Sequence, residues 1–344
     1  MTQIQCLIMK NVSIKDIARE VGVSTTTVSF VLNGKAREKR ISEDLKDRIL
    51  QVATRLNYRP NQVARGLRTG QTHTLGLMVE DISNPFFARL AKVIEDEADR
   101  SGYRVIFCST ENREDKAAAL LSMLKYRQMD GFIITPTQGM ERDLREMVEE
   151  GRPLVLVDRY FNDLETSWVT VNNYAGARKG VEILLSKGVK NPALVTLSSP
   201  LLPVVERRRG YLDALAANGR EADPDRLLWL SYPASQDQLV AWISKFLKDR
   251  PDTDGIFFTT NFLGVGGLEA IRDLGLDIPG DIRMLCFDDN DLFRIGRPSI
   301  TVIAQPVDQM AETAVSMLVN MLSNKDLTPV HRMLEPSIIE RESI

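Results

Sequence analysis

Two adjacent threonines, Thr25 and Thr26, begin a short predicted helix directly after Ser24. Threonine hydroxyls can hydrogen-bond to base edges in the major groove of DNA, and threonine methyl groups can contact the methyl group of thymine. Because an exposed helix start gives polar β-branched residues little stabilisation, the pair favours a binding role. For Ser24 the simpler interpretation is that it caps the helix.

Other side chains nearby are suited to contacts with the DNA backbone. Phosphate contacts fix the register of a protein on DNA without reading its sequence. Phe30 is limited to an apolar contact with a base, such as a thymine methyl, or to packing against the protein. The further candidates for DNA contact in this part of the chain are Ser13, Lys15, Thr27, Ser29, Phe30, Asn33 and Tyr58.

The segment from Lys10 to Gly70 is basic, with 13 Lys and Arg residues, 6 Asp and Glu residues and a net charge of +7. The rest of the chain holds 31 basic and 41 acidic residues, a net charge of −10, although the whole chain carries only −3. A compact basic module beside an acidic body is typical of nucleic-acid binding. Charge alone leaves open the alternative that this is an ordinary solvated surface.

Three short helices are predicted to position these residues. Ser13 and Asp16 form a capping box at the start of the first helix. The second helix spans Thr25 to Leu32 and follows after about three residues, which is the spacing of a helix-turn-helix. The third spans Glu43 to Leu56. We therefore expect a three-helix headpiece over residues 10–60, with its second helix in the major groove.

A hinge helix is predicted over residues 61–71. The stretch from Asn61 to Thr69 is too short for a stable isolated helix in water, and Gly66 weakens it further, by roughly 0.5–1 kcal/mol. We expect coil in the free protein and helix on DNA, although the residues alone fit a flexible linker equally well. The candidates for DNA contact in the hinge are Asn61, Ala64, Arg65, Leu67 and Arg68.

The body, residues 72–344, alternates apolar runs with amphipathic helical patterns. Such alternation predicts an α/β fold in which helices cover parallel sheets. The length is generous for a single sheet, which favours two lobes. The predicted strands include Thr74–Glu80, Tyr103–Ser109, Gly131–Thr135, Leu154–Asp158, Ala193–Leu197, Gly255–Thr259 and Met284–Phe287.

Polar and aromatic side chains at the ends of these strands predict a ligand site, because ligands of open α/β sheets bind beyond the carboxyl ends of strands. Carboxylates, an amide and an arginine can bind pairs of hydroxyl groups, and an aromatic ring can stack on the C–H face of a sugar. The candidate ligand-binding residues are Phe86, Phe87, Thr135, Asp158, Arg207, Asn261 and Asp288.

Each of these candidates has a structural alternative. Asp158 and Asp288 could only cap loops, and Phe86 could belong to the core. Arg207 could be part of a solvated basic run, but its spacing to Gly210 within a predicted helix, Glu206–Asn218, sets it apart from its neighbours.

The side chains of metal sites and of nucleophilic catalysis are sparse and scattered. Cys6, Cys108 and Cys286 have neither metal-ligand spacing nor a disulfide framework, which fits a reducing compartment. His73 and His331 stand beside no evident nucleophile or metal set. We expect no metal, no cofactor and no enzymatic activity.

The sequence does not favour a dinucleotide-binding protein. Gly264 to Gly267 resembles a dinucleotide fingerprint only faintly, because Glu269 takes its last position and the run lies inside a predicted helix.

No apolar run approaches the ~18–20 residues of a membrane span. The N-terminus lacks the apolar core and cleavage site of a signal peptide. We therefore expect a cytoplasmic protein without a membrane partner.

Several segments, taken together, match one known family: Val12–Ala18, Gly22–Ser24, Thr27–Ser29, Val31–Gly34, Asn57–Asn61 and Ala64–Gly70. The chain closely resembles the lactose-repressor (LacI/GalR) family over essentially its whole length. The resemblance implies a transcription regulator, a repressor, whose affinity for operator DNA is controlled by a small molecule such as a sugar or sugar derivative. It further implies a homodimer on a pseudo-palindromic operator.

The resemblance also implies a body like that of a periplasmic sugar-binding protein, in which the effector lies between two lobes and is held at the seven candidate positions. The chain would cross between the lobes near Val171, Ala304 and His331. The predicted N-lobe comprises residues 72–171 and 305–331, and the predicted C-lobe comprises residues 172–304 and 332–344.

For the hinge, the resemblance implies that two such helices pair in the minor groove, where Leu67 wedges between central base steps and kinks the duplex.

One position departs from the family: many members have arginine in place of Phe30, so their half-site preference does not transfer. Family members begin just before the first helix, so we expect Met9 to be the true start and residues 1–8 to be an upstream mis-start. If residues 1–8 are translated, we expect residues 1–9 to form a disordered tail. The alternative is a periplasmic-type sugar receptor without a DNA role, which would not explain the basic headpiece.

Overall fold

A computed structural model describes residues 12–58 and 71–344. The chain divides into two compact units, one ending at Thr72 and the other beginning at His73. The predicted tail over residues 1–9 lies outside the described residues. So do the hinge candidates Asn61, Ala64, Arg65, Leu67 and Arg68, whose roles stay predictions.

The first unit contains the three predicted helices, α1 (Ile14–Val21), α2 (Thr25–Leu32) and α3 (Glu43–Arg55). Asp16 reaches back to the start of α1, where its carboxylate accepts the backbone N–H of Ser13 at 2.9 Å. Ser42 caps α3 by accepting the N–H of Leu45 at 3.4 Å. The apolar faces of the helices meet in a small core in which the fully buried side chains are Ile17, Val28 and Ile49. The helix-turn-helix prediction is confirmed.

The second unit has two lobes, each with a six-stranded sheet covered by helices. In the first lobe the strands run in the order β11-β5-β4-β3-β1-β2, and all neighbours are parallel. Its elements are β1 (Thr74–Val79), α4 (Pro85–Arg100), β2 (Arg104–Ser109), α5 (Glu114–Tyr126), β3 (Gly131–Ile134), α6 (Glu141–Glu149), β4 (Leu154–Val157), β5 (Ser167–Val171), α12 (Val307–Asn324) and β11 (His331–Leu334).

In the second lobe the strand order is β12-β10-β9-β8-β6-β7, parallel except for the β10–β12 pair. Its elements are α7 (Asn173–Ser186), β6 (Pro192–Leu197), α8 (Leu202–Ala217), β7 (Leu227–Leu230), α9 (Gln236–Asp249), β8 (Gly255–Phe258), α10 (Asn261–Asp273), β9 (Arg283–Phe287), α11 (Asp291–Ile295), β10 (Thr301–Ala304) and β12 (Ser337–Ile339). The two sheets therefore have the same order of equivalent strands, so each lobe repeats one plan.

The chain crosses between the lobes three times. The first two crossings follow β5 and β10. The third was predicted near His331, and that position is wrong. His331 to Leu334 pair with β5 as the edge strand of the first lobe, so the crossing lies at Glu335 and Pro336. This strand is short and mostly exposed, and it has no apolar run that would indicate a strand.

The seven predicted strands are present with ends within one residue, because each contains an apolar run, which is buried in all of them except β2. The helix that carries Arg207 begins at Leu202, four residues before the predicted Glu206, because Pro203 is accommodated in its first turn. Among the described residues, no helix is both long and apolar enough to cross a membrane.

Candidate functional site

The exposed start of α2 presents Thr25 and Thr26 to solvent, as the sequence predicts. Ser24 is the cap of this helix, since its hydroxyl accepts the backbone N–H of Thr27 at 3.1 Å. The serine therefore has a structural role, while the two threonines carry no packing role that would compete with binding.

The predicted phosphate-binding residues of α2 are bonded to one another at the two ends of the helix. The Thr27 hydroxyl lies 2.9 Å from that of Ser24. The Asn33 amide donates to the Ser29 carbonyl at 2.7 Å and lies 3.2 Å from the Ser29 hydroxyl. Phe30 is half-buried, with the Lys39 ammonium 5.5 Å from the centre of its ring.

The remaining headpiece candidates differ in exposure. Ser13 and Lys15 are exposed at the start of α1. Tyr58 is half-buried against the headpiece core, and this burial raises the pKa of its phenol. The sequence reasoning passed over four exposed cations between α2 and α3, although their charge run is visible in the sequence: Lys35, Arg37, Lys39 and Arg40.

In the body, Asp158 and Asp288 face a cleft between the two lobes. Asp158 directly follows β4 and Asp288 directly follows β9. Both have a left-handed backbone with φ of 72°. The backbone N–H of each bonds to the neighbouring strand, to Val169 at 3.0 Å and to Ile303 at 2.9 Å, which fixes both turns.

Arg207 reaches the cleft from α8 and is almost fully buried. Its guanidinium donates to the Asn173 side chain and to the Thr259 carbonyl, each at 2.8 Å. It pairs with the Asp288 carboxylate at 3.4 Å and lies 3.7 Å from the ring centre of Phe287. Arg207 is therefore a fixed part of the cleft, not a member of a solvated run.

Gly210 explains why the spacing to Arg207 matters. A Cβ at Gly210 would lie 2.5 Å from the Tyr174 carbonyl oxygen and 2.8 Å from the Arg178 nitrogen. Only glycine lets α8 approach the backbone of α7 this closely. That approach brings Arg207 within reach of Asn173 at the start of α7.

The first lobe contributes a second buried guanidinium, Arg159, which the sequence reasoning did not predict. It pairs closely with Glu80 and donates to the Asn112 side chain at 3.0 Å. Its Nε lies 3.4 Å from the Asp158 carboxylate. Its partner Glu80 is 79 positions away, so no local sequence pattern indicated the pair.

Asn261 lies at the start of α10, where its side chain connects the two lobes. Its amide donates to Asn84 Oδ1 at 3.0 Å, and the Asn84 amide lies 3.4 Å from Asn261 Oδ1. Asn84 also caps α4 by accepting the N–H of Phe86 at 3.0 Å. The sequence predicts that Asn261 binds the effector, whereas in the structure the Asn261 side chain contacts Asn84.

The other candidates divide between the cleft wall and the interior. Phe86 and Phe87 are both buried in the first lobe and also line the cleft, so Phe86 is a core residue and a wall residue together. Thr135 follows β3 and is buried, outside the cleft lining, and its hydroxyl has no hydrogen-bond partner among the described residues. Cleft residues that were not among the predicted candidates also include Thr260, Phe262 and Gln305.

Burial raises the pKa of the Asp158 carboxyl to about 6, although Arg159 and Arg207 act in the opposite direction. Glu80 and Asp288 add to the rise, since a second negative charge nearby disfavours ionisation. Asp158 therefore carries a charge that its surroundings only partly compensate, as is common in binding sites.

The cleft is nearly closed, with about 70 Å³ of open space. Small-molecule sites typically offer roughly 300–1,000 Å³. A larger groove of about 920 Å³ runs along α12, but it is lined from the first lobe alone and mostly by exposed or partly exposed side chains such as Glu312 and Asn320. The cleft is the better candidate site because buried polar groups from both lobes converge there.

Within residues 12–58 and 71–344, no cluster of three or more His, Cys, Asp or Glu side chains could hold a metal ion. The buried charges of the cleft are paired with one another instead. The arrangement offers hydrogen-bond donors and acceptors to a polar ligand.

Comparison with known proteins follows the same division of the chain. Residues 13–61 match the model of bacterial regulatory proteins of the lacI family, and residues 181–344 match a periplasmic binding protein-like domain. The chain is 32% identical to the HTH-type transcriptional regulator RegA of Clostridium saccharobutylicum, covering 96% of this chain and 98% of that one. It is 30% identical to the ribose operon repressor of Halalkalibacterium halodurans, covering 96% of each.

Among solved structures, a lac repressor dimer bound to operator and the anti-inducer ONPF superposes with a TM-score of 0.85. The two chains are 21% identical over 97% of this chain and 99% of that one, which supports the fold. The relatives are transcriptional regulators, which confirms the prediction that the chain is not an enzyme. The match over the headpiece also removes the alternative of a sugar receptor without a DNA role. The chain belongs to the LacI family of bacterial regulatory proteins and is a DNA-binding transcriptional regulator.

Proposed function

We propose that this regulator is a repressor which binds a pseudo-palindromic operator as a homodimer in the cytoplasm, and that a sugar or sugar derivative in the interlobe cleft controls its affinity for DNA. The observation that carries the proposal is the cleft itself, in which Asp158 from one lobe faces Arg207 and Asp288 from the other. Relatives that include a ribose operon repressor support both halves of the proposal.

On the DNA side, α2 enters the major groove with its exposed first turn foremost. Thr25 and Thr26 then contact base edges, and the exposed cations between α2 and α3 contact phosphates. Phe30 is half-buried, so its free edge offers only an apolar contact. An operator read in this way differs from those of members with arginine at this position, because guanine loses its bidentate partner.

On the effector side, Asp158, Asp288 and Arg207 bind pairs of sugar hydroxyls, and Phe86 and Phe87 form the apolar wall of the cleft. The closed cleft has too little room for a sugar. Binding therefore requires the lobes to separate, which breaks the contact between Asn84 and Asn261. The effector shifts the protein toward the conformation that it binds better, by the difference between its two affinities.

Two chains pair along the edges of their sheets. β2 is an edge strand, and it exposes Phe107 at 57% and Ile106 at 36%. The equivalent edge strand of the second lobe, β7, exposes Trp229 at 43%. An exposed apolar edge strand is a site for pairing with another chain. Pairing of the first lobes brings two headpieces to one operator, and their hinges, with Leu67, to its centre.

The test is to select DNA sites from a random library with the purified full-length protein, with and without a panel of sugars. We expect a two-fold symmetric site, with constant base pairs at the centre where the hinges pair, and enrichment that one sugar removes or restores. Asymmetric sites would contradict the dimer, and a variable centre would contradict the hinge assignment. Enrichment that no sugar changes would contradict control through the cleft.

A further inference from the structure

Five charged side chains line the interlobe cleft within the described residues. Three are carboxylates and two are guanidiniums, so the cleft carries one net negative charge when all five are ionised. They are Glu80, Asp158, Arg159, Arg207 and Asp288.

Both guanidiniums already have carboxylate partners, so neither offers an uncompensated positive charge to a ligand. Arg207 is held by Asp288, by the Asn173 side chain and by the Thr259 carbonyl. Arg159 is held by Glu80 and by Asn112, with Asp158 close to its Nε. Both are 4% exposed, so a ligand anion would have to break a buried ion pair to reach either of them.

Three buried polar atoms of the same cleft have no hydrogen-bond partner among the described residues. They are Arg159 Nε, the Thr260 hydroxyl and Gln305 Oε1. All three residues line the cleft. Buried polar atoms without partners are rare because each one destabilises the fold. An N–H donor, a hydroxyl and a carbonyl acceptor together complement the hydroxyl groups of a neutral polyol.

We propose that the cleft selects an uncharged, polyhydroxylated ligand over its anionic counterpart, and that Glu80 sets this selectivity; the inference rests on the effector site proposed above. Glu80 and Asp158 neutralise Arg159, and its Nε, 3.4 Å from the Asp158 carboxylate without a hydrogen bond, donates to a ligand hydroxyl. A carboxylate or phosphate on the ligand meets three carboxylates and no free cation. The anionic ligand is therefore rejected by repulsion and not by size.

The effect of the charge of Glu80 can be separated from the effect of its packing, because glutamine keeps the shape of the side chain and removes its charge. In Glu80→Gln the cleft becomes neutral and Arg159 loses its strongest partner. The anionic ligand then gains affinity relative to the neutral one, by about tenfold for the loss of one close like charge. The matched control is Glu150→Gln, because Glu150 also pairs with Arg152 and with Lys125 but lies outside the cleft.

The experiment is calorimetric titration of the full-length protein at fixed ionic strength and neutral pH with three matched pairs. The pairs are D-glucose and D-glucuronate, D-galactose and D-galacturonate, and D-ribose and D-ribose 5-phosphate. We expect the wild type to prefer the neutral member of any pair that binds, and Glu80→Gln, but not Glu150→Gln, to lower that preference about tenfold.

Each other outcome has a separate meaning. A wild type that prefers the anionic member overturns this inference and leaves the sugar effector intact. An unchanged preference in Glu80→Gln, with the melting temperature close to that of the wild type, removes Glu80 as the determinant. Absence of binding by all six compounds overturns the sugar effector, and the charge selectivity is overturned with it.

Discussion

Asp158 and Asp288 occupy equivalent positions in the two lobes. Each follows the third strand of its sheet, each has φ of 72°, and each turns its carboxylate into the same cleft. Aspartate tolerates a left-handed backbone better than most residues do, but this conformation is uncommon in any residue other than glycine. Its occurrence at both strand ends indicates that the site, rather than the sheet, determines these two turns.

The first prediction concerns Asp288. Asp288→Ala removes the ion-pair partner of Arg207 and an acceptor for the Gln305 amide, which lies 2.6 Å from Asp288 Oδ1. We expect the effector to lose its influence on operator binding, while operator affinity without effector stays within about twofold of wild type. Fluorescence anisotropy with labelled operator measures both quantities.

The control for Asp288→Ala is Asp291→Ala, since Asp291 is exposed at the start of α11. Its response to effector should equal that of the wild type. An Asp288→Ala protein that still responds fully would remove Asp288 from the effector site.

The second prediction is a pH dependence at Asp158. Its folded-state pKa of about 6 lies above its ordinary value of 3.8, so the folded protein binds this proton more tightly than the unfolded chain. The stability from this group is present below about pH 4 and is lost as pH rises through about 6. Asp158→Asn, which cannot ionise, should therefore be more stable than wild type at pH 7.5, by about 3 kcal/mol at most.

Thermal unfolding at two pH values measures this effect. The melting temperature of Asp158→Asn should exceed that of the wild type by a few degrees at pH 7.5, and the difference should shrink at pH 5. Glu149→Gln, at an exposed site, should show no such trend. A variant that is less stable than wild type at pH 7.5 would mean that Arg159 and Arg207 compensate the charge of Asp158 fully.

The sequence predicted those parts of the molecule that depend on local pattern. Apolar runs located seven strands. Asp158, Asp288 and Arg207 were chosen as candidates because a polar residue directly after an apolar strand, or at a set helical spacing, stands out, and all three line the cleft. Short and exposed strands such as β11 lack such a pattern, so the third crossing was misplaced. The structure there depends on pairing with β5, which local sequence does not encode.

The missed part of the site depends on contacts between distant segments. Glu80 and Arg159 each resemble exposed loop residues, and only the parallel arrangement of β1 and β4 in one sheet brings them together. Thr135 is the opposite case, because it was a predicted site residue and it does not line the cleft. It follows a strand as Asp158 does, but its side chain is buried and lies outside the cleft lining.

The third prediction separates base reading from phosphate binding. Thr26 is exposed on the first turn of α2, so Thr26→Ala should keep the fold and lose a base contact. We expect affinity for the selected operator to fall by about 1–3 kcal/mol, with affinity for random DNA and the salt dependence unchanged. Electrophoretic mobility shifts at several salt concentrations measure all three quantities.

Thr54→Ala is the matched control for Thr26→Ala, because Thr54 is also exposed but its hydroxyl donates to the Leu50 carbonyl at 2.9 Å. It should leave operator affinity unchanged. Equal losses on operator and on random DNA in Thr26→Ala would instead assign Thr26 to the phosphate backbone.

The fourth prediction tests pairing of two chains through β2. Phe107 is 57% exposed on this edge strand, so Phe107→Glu should leave the fold intact but place a charge in the dimer contact. Burying an unpaired carboxylate there disfavours association strongly. We expect sedimentation velocity to show a monomer, and operator affinity to fall because two headpieces no longer bind together.

Leu327→Glu is the control for Phe107→Glu, since Leu327 is 41% exposed in the segment that leads to the opposite edge strand, β11. A Phe107→Glu protein that remains dimeric would place the contact between chains elsewhere.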